Sequence, residues 1–207
     1  FTNNSADNKT SDIVTLLPEV MKCLCKCAQF LSVEYFSDLL STLKKTIGLV
    51  EKEQSMLASL HTIQTVLQIS SLQETSRVNL MKSSSSSAAV IDMKFYFDLI
   101  YRQLGSVASV KSDSTLTLTW SQEFENLFES VISKLFLSKK HCPTVRIAAF
   151  IHRFVNLINN ESSSSLPLDG KIYFFKLILR FFDHHQAARG LLESETLGVA
   201  AYLPTCP

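Results

Sequence analysis

Residues 16–48 read LLPEVMKCLCKCAQFLSVEYFSDLLSTLKKTIG. The apolar side chains of this stretch recur at steps of three and four residues, which is typical of helices with one buried face. Pro18 is tolerated in the first turn of a helix and Gly48 is typical just after a last turn, so we expect two helices here. The connection near Ser32 is short, which predicts an antiparallel pair.

The same helical spacing continues along the chain. Five glycines and five prolines in 207 residues leave little room for hairpins and disfavour a β-sandwich or barrel, whereas 46% apolar residues can form a sizeable core. Gly105 is predicted to end another helix. Two further helices are expected to bury these faces: Phe124, Leu127, Phe128, Val131, Ile132, Leu135 and Phe136 in one, and Val145, Ala148, Ala149, His152, Val155 and Ile158 in the other.

Seven to eight amphipathic helices in successive pairs predict an all-α fold, a HEAT-like or armadillo-like helical-repeat solenoid segment. A compact helical bundle is the alternative. Polar residues 1–12 predict a flexible lead-in, and residues 13–207 predict one helical-repeat domain. Serine runs predict loops near 82–89 and 161–166, because consecutive serines have no apolar surface to bury.

The positions of the cysteines and histidines give little support for a metal site or a catalytic nucleophile. On a helix, Cys23 and Cys27 share a face and Cys25 points away, so the three thiols cannot converge on one metal. We expect unpaired, mostly buried thiols in a cytosolic or nuclear protein. The adjacent His184 and His185 point about 100° apart on a helix, which suits one metal poorly.

The sequence contains no nucleophile-elbow, zinc-protease, phosphate-loop or dinucleotide-binding pattern. We therefore expect a protein that is not an enzyme and needs no cofactor. The longest apolar stretch, Ile172 to Phe182, is interrupted by Lys176 and Arg180 and is shorter than the roughly 20 residues of a membrane span. No membrane association is expected.

Charge is distributed unevenly although the net charge is only +1. Nine basic and three acidic residues lie between Lys134 and Arg189, whereas the first sixty residues carry six basic and seven acidic ones. Such a basic region suits phosphate backbones without base readout, and a solvated face or an acidic protein partner are the alternatives. The candidate RNA or phosphate contacts are Lys139, Lys140, Arg146, Arg153, Lys171, Lys176, Arg180 and Arg189.

Aromatic residues leave the helix around residues 172–182 apolar on more than one side. A helix of this kind is expected to be buried on two sides, by repeat neighbours or by a partner chain. The candidate partner-packing residues are Phe174, Phe175, Phe181 and Phe182.

Three segments resemble a known family. In residues 16–47 a helix ends with Ala28 and Phe30, and Val33, Glu34, Tyr35 and Phe36 then lead to Asp38, Leu39 and Leu40. This pattern resembles the nucleolar complex-associated protein three family, and SLHTIQTVLQI at residues 59–69 looks like its next helix. The stretch 173–207 is similar to the end of the CCAAT-binding-factor-type domain of the nucleolar complex proteins, through Leu191, Leu192, Glu193, Ser194, Glu195, Gly198, Tyr202 and Pro204.

This resemblance implies a non-enzymatic scaffold in nucleolar large ribosomal subunit (60S) biogenesis and rRNA processing. The implied partners are nucleolar complex protein two, pre-ribosomal RNA and the pre-60S particle. The family is also linked to DNA replication initiation, which makes chromatin a further implied partner. The implied location is the nucleolus and nucleus. A helical-repeat protein-binding adaptor in transport or trafficking is the alternative function.

Overall fold

The computed structural model describes residues 4–52, 55–80, 93–109, 120–138, 142–159 and 166–193. Over these ranges it contains eight α-helices and no strand, which confirms the predicted all-α class. They are α1 (Asn4–Cys27), α2 (Phe36–Lys52), α3 (Met56–Leu80), α4 (Met93–Ser109), α5 (Gln122–Ile132), α6 (Thr144–Asn159), α7 (Leu168–His184) and α8 (Gln186–Glu193). The chain divides into two compact units, 1–92 and 93–207, where the sequence predicted one domain over 13–207.

In the first unit, α1 and α2 both pack against α3 rather than chiefly against each other, unlike the expected antiparallel pair. Residues 56–70 of α3 are buried or nearly so around the whole helix, polar side chains included. The Thr62 hydroxyl donates to the Ala58 carbonyl at 2.8 Å. The Thr65 hydroxyl donates to the His61 carbonyl at 2.9 Å and to the Met21 carbonyl of α1 at 3.2 Å. These hydroxyls can be buried because they are hydrogen-bonded.

The predicted helix ends in this unit are wrong in two places. Helix α1 is already regular from Asn4, so most of the expected lead-in over 1–12 is helical and Pro18 lies inside the helix. A proline inside a helix removes one backbone hydrogen bond. In α1 the burial of Leu17 and Met21, on either side of Pro18, offsets this loss. Helix α2 passes through Gly48 because the buried positions Phe36, Leu40, Leu43, Ile47 and Val50 continue the same face beyond it.

The thiols of α1 are not buried as expected. Leu17, Met21 and Ala28 form the buried face of this helix, so Cys23 and Cys27 on the opposite side are exposed and Cys25 is half-buried. The three cysteines are not in disulfides. The neighbouring Cys23 thiol, through a hydrogen bond, raises the pKa of the exposed Cys27 thiol.

The second unit has an aromatic core. Helix α6 packs against α4 and α7, and α8 packs against α6 and α7. Phe154 of α6 stacks on Phe174 of α7 at 5.3 Å between ring centroids, and Phe128 of α5 meets the same Phe174 at 5.7 Å. A π-helical turn over Ser133–Leu137 extends α5 and places Phe136 against rings from three other helices. Those rings belong to Phe97, Phe150 and Phe181.

The inward faces of this unit were predicted with mixed success. The expected core face of α5 and its extension is confirmed, since all seven residues are buried. In α6, Ala148 and Ala149 are buried as predicted, but Val145, His152 and Val155 are exposed. The other buried positions of α6 include Ile147, Phe150, Phe154 and Leu157. Gly105 also lies inside α4 rather than after it. A Cβ at Gly105 would lie 2.9 Å from Cζ of Arg153, so its missing side chain leaves room for that guanidinium.

Candidate interaction surface

Two of the predicted phosphate contacts are engaged within the second unit. Arg146 and Arg153 share one face of α6, as their spacing predicted, and that face meets α4. The guanidinium carbon of Arg146 lies 4.3 Å from the centroid of the Phe97 ring, and that of Arg153 lies 4.3 Å from the centroid of Tyr101. Both side chains are half-buried. Their charged planes therefore cover aromatic rings instead of facing a ligand.

Two other predicted contacts are in ion pairs. Arg180 of α7 pairs with Glu129 of α5, and the Tyr173 hydroxyl donates to the same carboxylate at 3.1 Å. Burial, followed by the negative charge of Glu129, raises the pKa of Tyr173 well above its ordinary value. Arg189 of α8 pairs with Asp183 at 3.0 Å and donates from Nε to the Phe182 carbonyl at 3.0 Å. These arginines hold α5, α7 and α8 together.

Lysines make up the rest of the predicted basic set. Lys139 and Lys140 lie outside the described residues. Lys171 is half-buried and Lys176 is exposed, both on α7. Within the described chain neither of these two lysines is in an ion pair. Of the six candidates that the structure describes, Lys171 and Lys176 are the two that remain available to a partner.

The four predicted partner-packing residues of α7 separate into different environments. Phe174 and Phe181 are fully buried in the aromatic core, so they pack inside the unit. Phe182 is half-buried. Phe175 is 57% exposed and points away from the core. Helix α7 is therefore apolar on two sides, as predicted, but the described residues of its own unit cover only one of them.

The uncovered side of α7 forms a continuous apolar line. Leu168 is 71% exposed, Ile172 43%, Phe175 57% and Leu179 49%. With the half-buried Phe182 they follow one another at steps of four, three, four and three residues, which is the spacing of a helix–helix seam. We call Leu168, Ile172, Phe175, Leu179 and Phe182 the outer stripe. Of the four predicted partner-packing residues, Phe175 and Phe182 belong to the outer stripe, whereas Phe174 and Phe181 are buried on the other side of α7.

A second exposed apolar line on α1 was missed. Leu16 and Val20 are exposed, and the exposed Cys23 and Cys27 continue their helical spacing to the end of α1. The exposed Phe30 follows in the 3-10 turn Ala28–Phe30. The signal was present in the sequence, because α1 carries apolar residues on two sides. Its periodicity alone could not show which side packs against α3.

The described part of the chain brings no cluster of metal-ligating side chains together. No group of three or more His, Cys, Asp or Glu side chains that could hold a metal occurs among these residues. The rings of His184 and His185 meet edge to face at 4.9 Å. Burial, helped by the neighbouring His184, lowers the pKa of His185. This pair lies at the junction of α7 and α8.

Among the described helices, none has the length and apolar character needed to cross a membrane. No family model, curated protein or solved structure matches this chain. The candidate site is therefore defined by its own geometry: an apolar outer stripe on α7 with two available lysines beside it.

Proposed function

We propose that this chain is a non-enzymatic helical scaffold that acts in the nucleolus during large ribosomal subunit assembly and rRNA processing. The proposal takes its setting from the resemblance of residues 16–47, 59–69 and 173–207 to the nucleolar complex proteins. Nucleolar complex protein two is its proposed protein partner, and a role on chromatin in replication initiation is proposed with it.

The packing of the second unit supports a HEAT-like repeat within this proposal. Helix α4 packs against α6 through Arg146 and Arg153, and α5 packs against α7 through Phe128 and Glu129. Helices α4 and α5 therefore each contact the helix two places further along the chain, and α6 contacts α8 in the same way. Stacked helical hairpins produce this pattern of contacts.

The outer stripe of α7 is the observation that carries the proposal. Exposed large apolar side chains cost free energy in water unless a partner covers them, and a continuous line of them marks a binding site more often than isolated ones do. Four such side chains follow one face of α7 over Leu168–Leu179. A scaffold uses surfaces of this kind to hold a partner protein.

The geometry supports RNA contact less strongly than protein contact. The four arginines of the predicted set are stacked on rings or paired with carboxylates. The RNA part of the proposal therefore rests on Lys139, Lys140, Lys171 and Lys176. Contacts from these lysines to phosphates would weaken as the salt concentration rises.

The test is affinity purification of the tagged chain from growing cells, with quantification of co-purified proteins and RNA. We expect enrichment of nucleolar complex protein two, pre-60S proteins and pre-rRNA. A double variant, Phe175→Ser with Leu179→Ser, should lose the protein partner. Val145→Ser is the matched control, because Val145 is 56% exposed on α6, away from the outer stripe, and Phe175 is 57% exposed.

The same experiment can overturn the proposal. Recovery of transport or trafficking proteins without pre-ribosomal components would support the adaptor alternative instead. Equal recovery of nucleolar partners by wild type and by the double variant would show that the outer stripe does not bind them.

A further inference from the structure

The outer stripe has the dimensions of a seam for one additional helix. From Leu168 to Phe182 it covers fourteen residue steps, or about 21 Å along the α7 axis, which is close to four helical turns. Its steps of four and three residues keep every member on one narrow line. In paired helices, residues at this spacing insert between side chains of the facing helix. A partner with the same spacing would therefore match it along its length.

Two lysines flank this seam. At about 100° per residue, Lys171 lies about 60° to one side of the centre of the outer stripe and Lys176 about 80° to the other. The acidic residues of α7 itself are Asp169 in the first turn, which Lys171 shares, and Asp183, which is paired with Arg189. The third cation of α7, Arg180, is paired with Glu129. Each edge of the seam therefore carries one lysine that is in no ion pair with a described residue.

We propose that the outer stripe binds one amphipathic helix of a partner protein, with apolar residues at four-and-three spacing and carboxylates along both edges. The apolar line selects a helix, and Lys171 and Lys176 select acidic edges by charge complementarity. A phosphate backbone would pair with the two lysines but would leave the four exposed apolar side chains between them uncovered. This inference deepens the proposed function and assigns Lys171 and Lys176 to the protein partner, which leaves RNA contact to Lys139 and Lys140.

The probes are two synthetic three-heptad peptides that carry Leu at both seam positions of each heptad. One has Glu at all flanking positions and the other has Lys there, so that like charges discourage self-pairing in both. Binding of each fluorescent peptide to the full 207-residue chain is measured by anisotropy. We expect the Glu-edged peptide to bind at least about tenfold more tightly, because the Lys-edged peptide meets like charges on both sides.

Variants of the full chain identify the surface. Phe175→Ser with Leu179→Ser should weaken binding of the Glu-edged peptide at least about tenfold, and Val145→Ser should leave it unchanged. Lys171→Glu with Lys176→Glu should reverse the preference toward the Lys-edged peptide. Circular dichroism of each variant verifies that the helices are retained.

Three results would overturn the inference. The first is equal binding of both peptides, or binding that the double apolar variant does not change. The second is a lysine reversal that lowers binding of an rRNA fragment while peptide binding stays the same, which would make this face an RNA surface. The third is a chain that is dimeric by light scattering and whose dimer the Glu-edged peptide does not dissociate, which would assign the face to a second copy. Absence of nucleolar partners from the purification of the wild-type chain would instead contradict the proposed function.

Discussion

The guanidinium carbon of Arg153 lies 4.3 Å from the centroid of the Tyr101 ring. One heptad earlier on α6, Arg146 lies over Phe97 at the same distance. The Nε atoms of both arginines are buried and have no hydrogen-bond partner among the described residues, so ring stacking is the interaction that the structure gives to these charges. Two cations that looked like ligand contacts therefore join α6 to α4.

Removal of this stacking should destabilise the second unit. We expect Arg153→Ala to lower the free energy of unfolding by about 1–2 kcal/mol, the usual contribution of a partly desolvated cation–π pair together with its packing. Urea unfolding followed by circular dichroism measures the change. Lys176→Ala, at an exposed position of α7, is the control, and its free energy of unfolding should stay within about 0.5 kcal/mol of wild type. An unchanged urea midpoint for Arg153→Ala would contradict a structural role for this side chain.

Two glycines inside helices should respond in opposite directions to alanine. Gly48 of α2 is exposed and no atom lies within 4 Å of a Cβ placed there, so Gly48→Ala should stabilise the chain by about 0.5–1 kcal/mol through helix propensity. A Cβ at Gly170 of α7 would lie 2.9 Å from Cδ1 of Leu166 and 3.0 Å from Cδ2 of Trp120. Gly170→Ala should therefore destabilise it by about 1–3 kcal/mol.

Thermal unfolding of both glycine variants checks this pair of expectations. The melting temperature should rise for Gly48→Ala and fall for Gly170→Ala. A rise for both would mean that Leu166 and Trp120 move aside at little cost.

Sequence periodicity predicted α5 fully because its apolar residues form a single face from Phe124 to Phe136. It failed for α6 and α7, which are apolar on more than one side. Spacing then shows that faces exist but not which one meets the core. That choice is made by tertiary packing, here by the fit of Phe150 and Phe154 among rings of other helices.

Prediction of the candidate site from the sequence was limited in the same way. The spacing of Arg146 and Arg153 correctly predicted a shared face, yet their role depends on Phe97 and Tyr101, which are about fifty residues away in the sequence.

The prediction that α2 ends at Gly48 was wrong because tertiary packing outweighs the local preference of glycine. The penalty of a glycine inside a helix is about 1 kcal/mol, and burial of the Val50 side chain beyond Gly48 is worth more than that.

Acid should destabilise the second unit through His185. Burial lowers the pKa of this imidazole below its ordinary value of 6.5, so the folded chain favours the neutral ring. The stability that the neutral His185 ring contributes is fully present above pH 6.5, where this ring is neutral in the unfolded chain too. It is lost as the pH falls from 6.5 through the lowered pKa of the folded state. We expect the urea midpoint to fall between pH 7.5 and 5.5.

His185→Gln is the matched variant for this effect. It removes the titrating ring, and the slope of the urea midpoint against pH over this range should decrease compared with wild type. If wild type and variant show the same slope, other groups cause the acid sensitivity and His185 does not contribute.

Two adjacent residues of α7 provide the sharpest test of which side of this helix is free. The Phe174 ring is fully buried and lies 5.3 Å from Phe154 and 5.7 Å from Phe128 between centroids, so Phe174→Ala should cost about 3–5 kcal/mol. Phe175 is 57% exposed, and Phe175→Ala should change the free energy of unfolding by no more than about 0.5 kcal/mol. Chemical denaturation of both variants gives the comparison. A large loss from Phe175→Ala would mean that the folded chain itself covers the outer stripe, and no face of α7 would then remain for a partner helix.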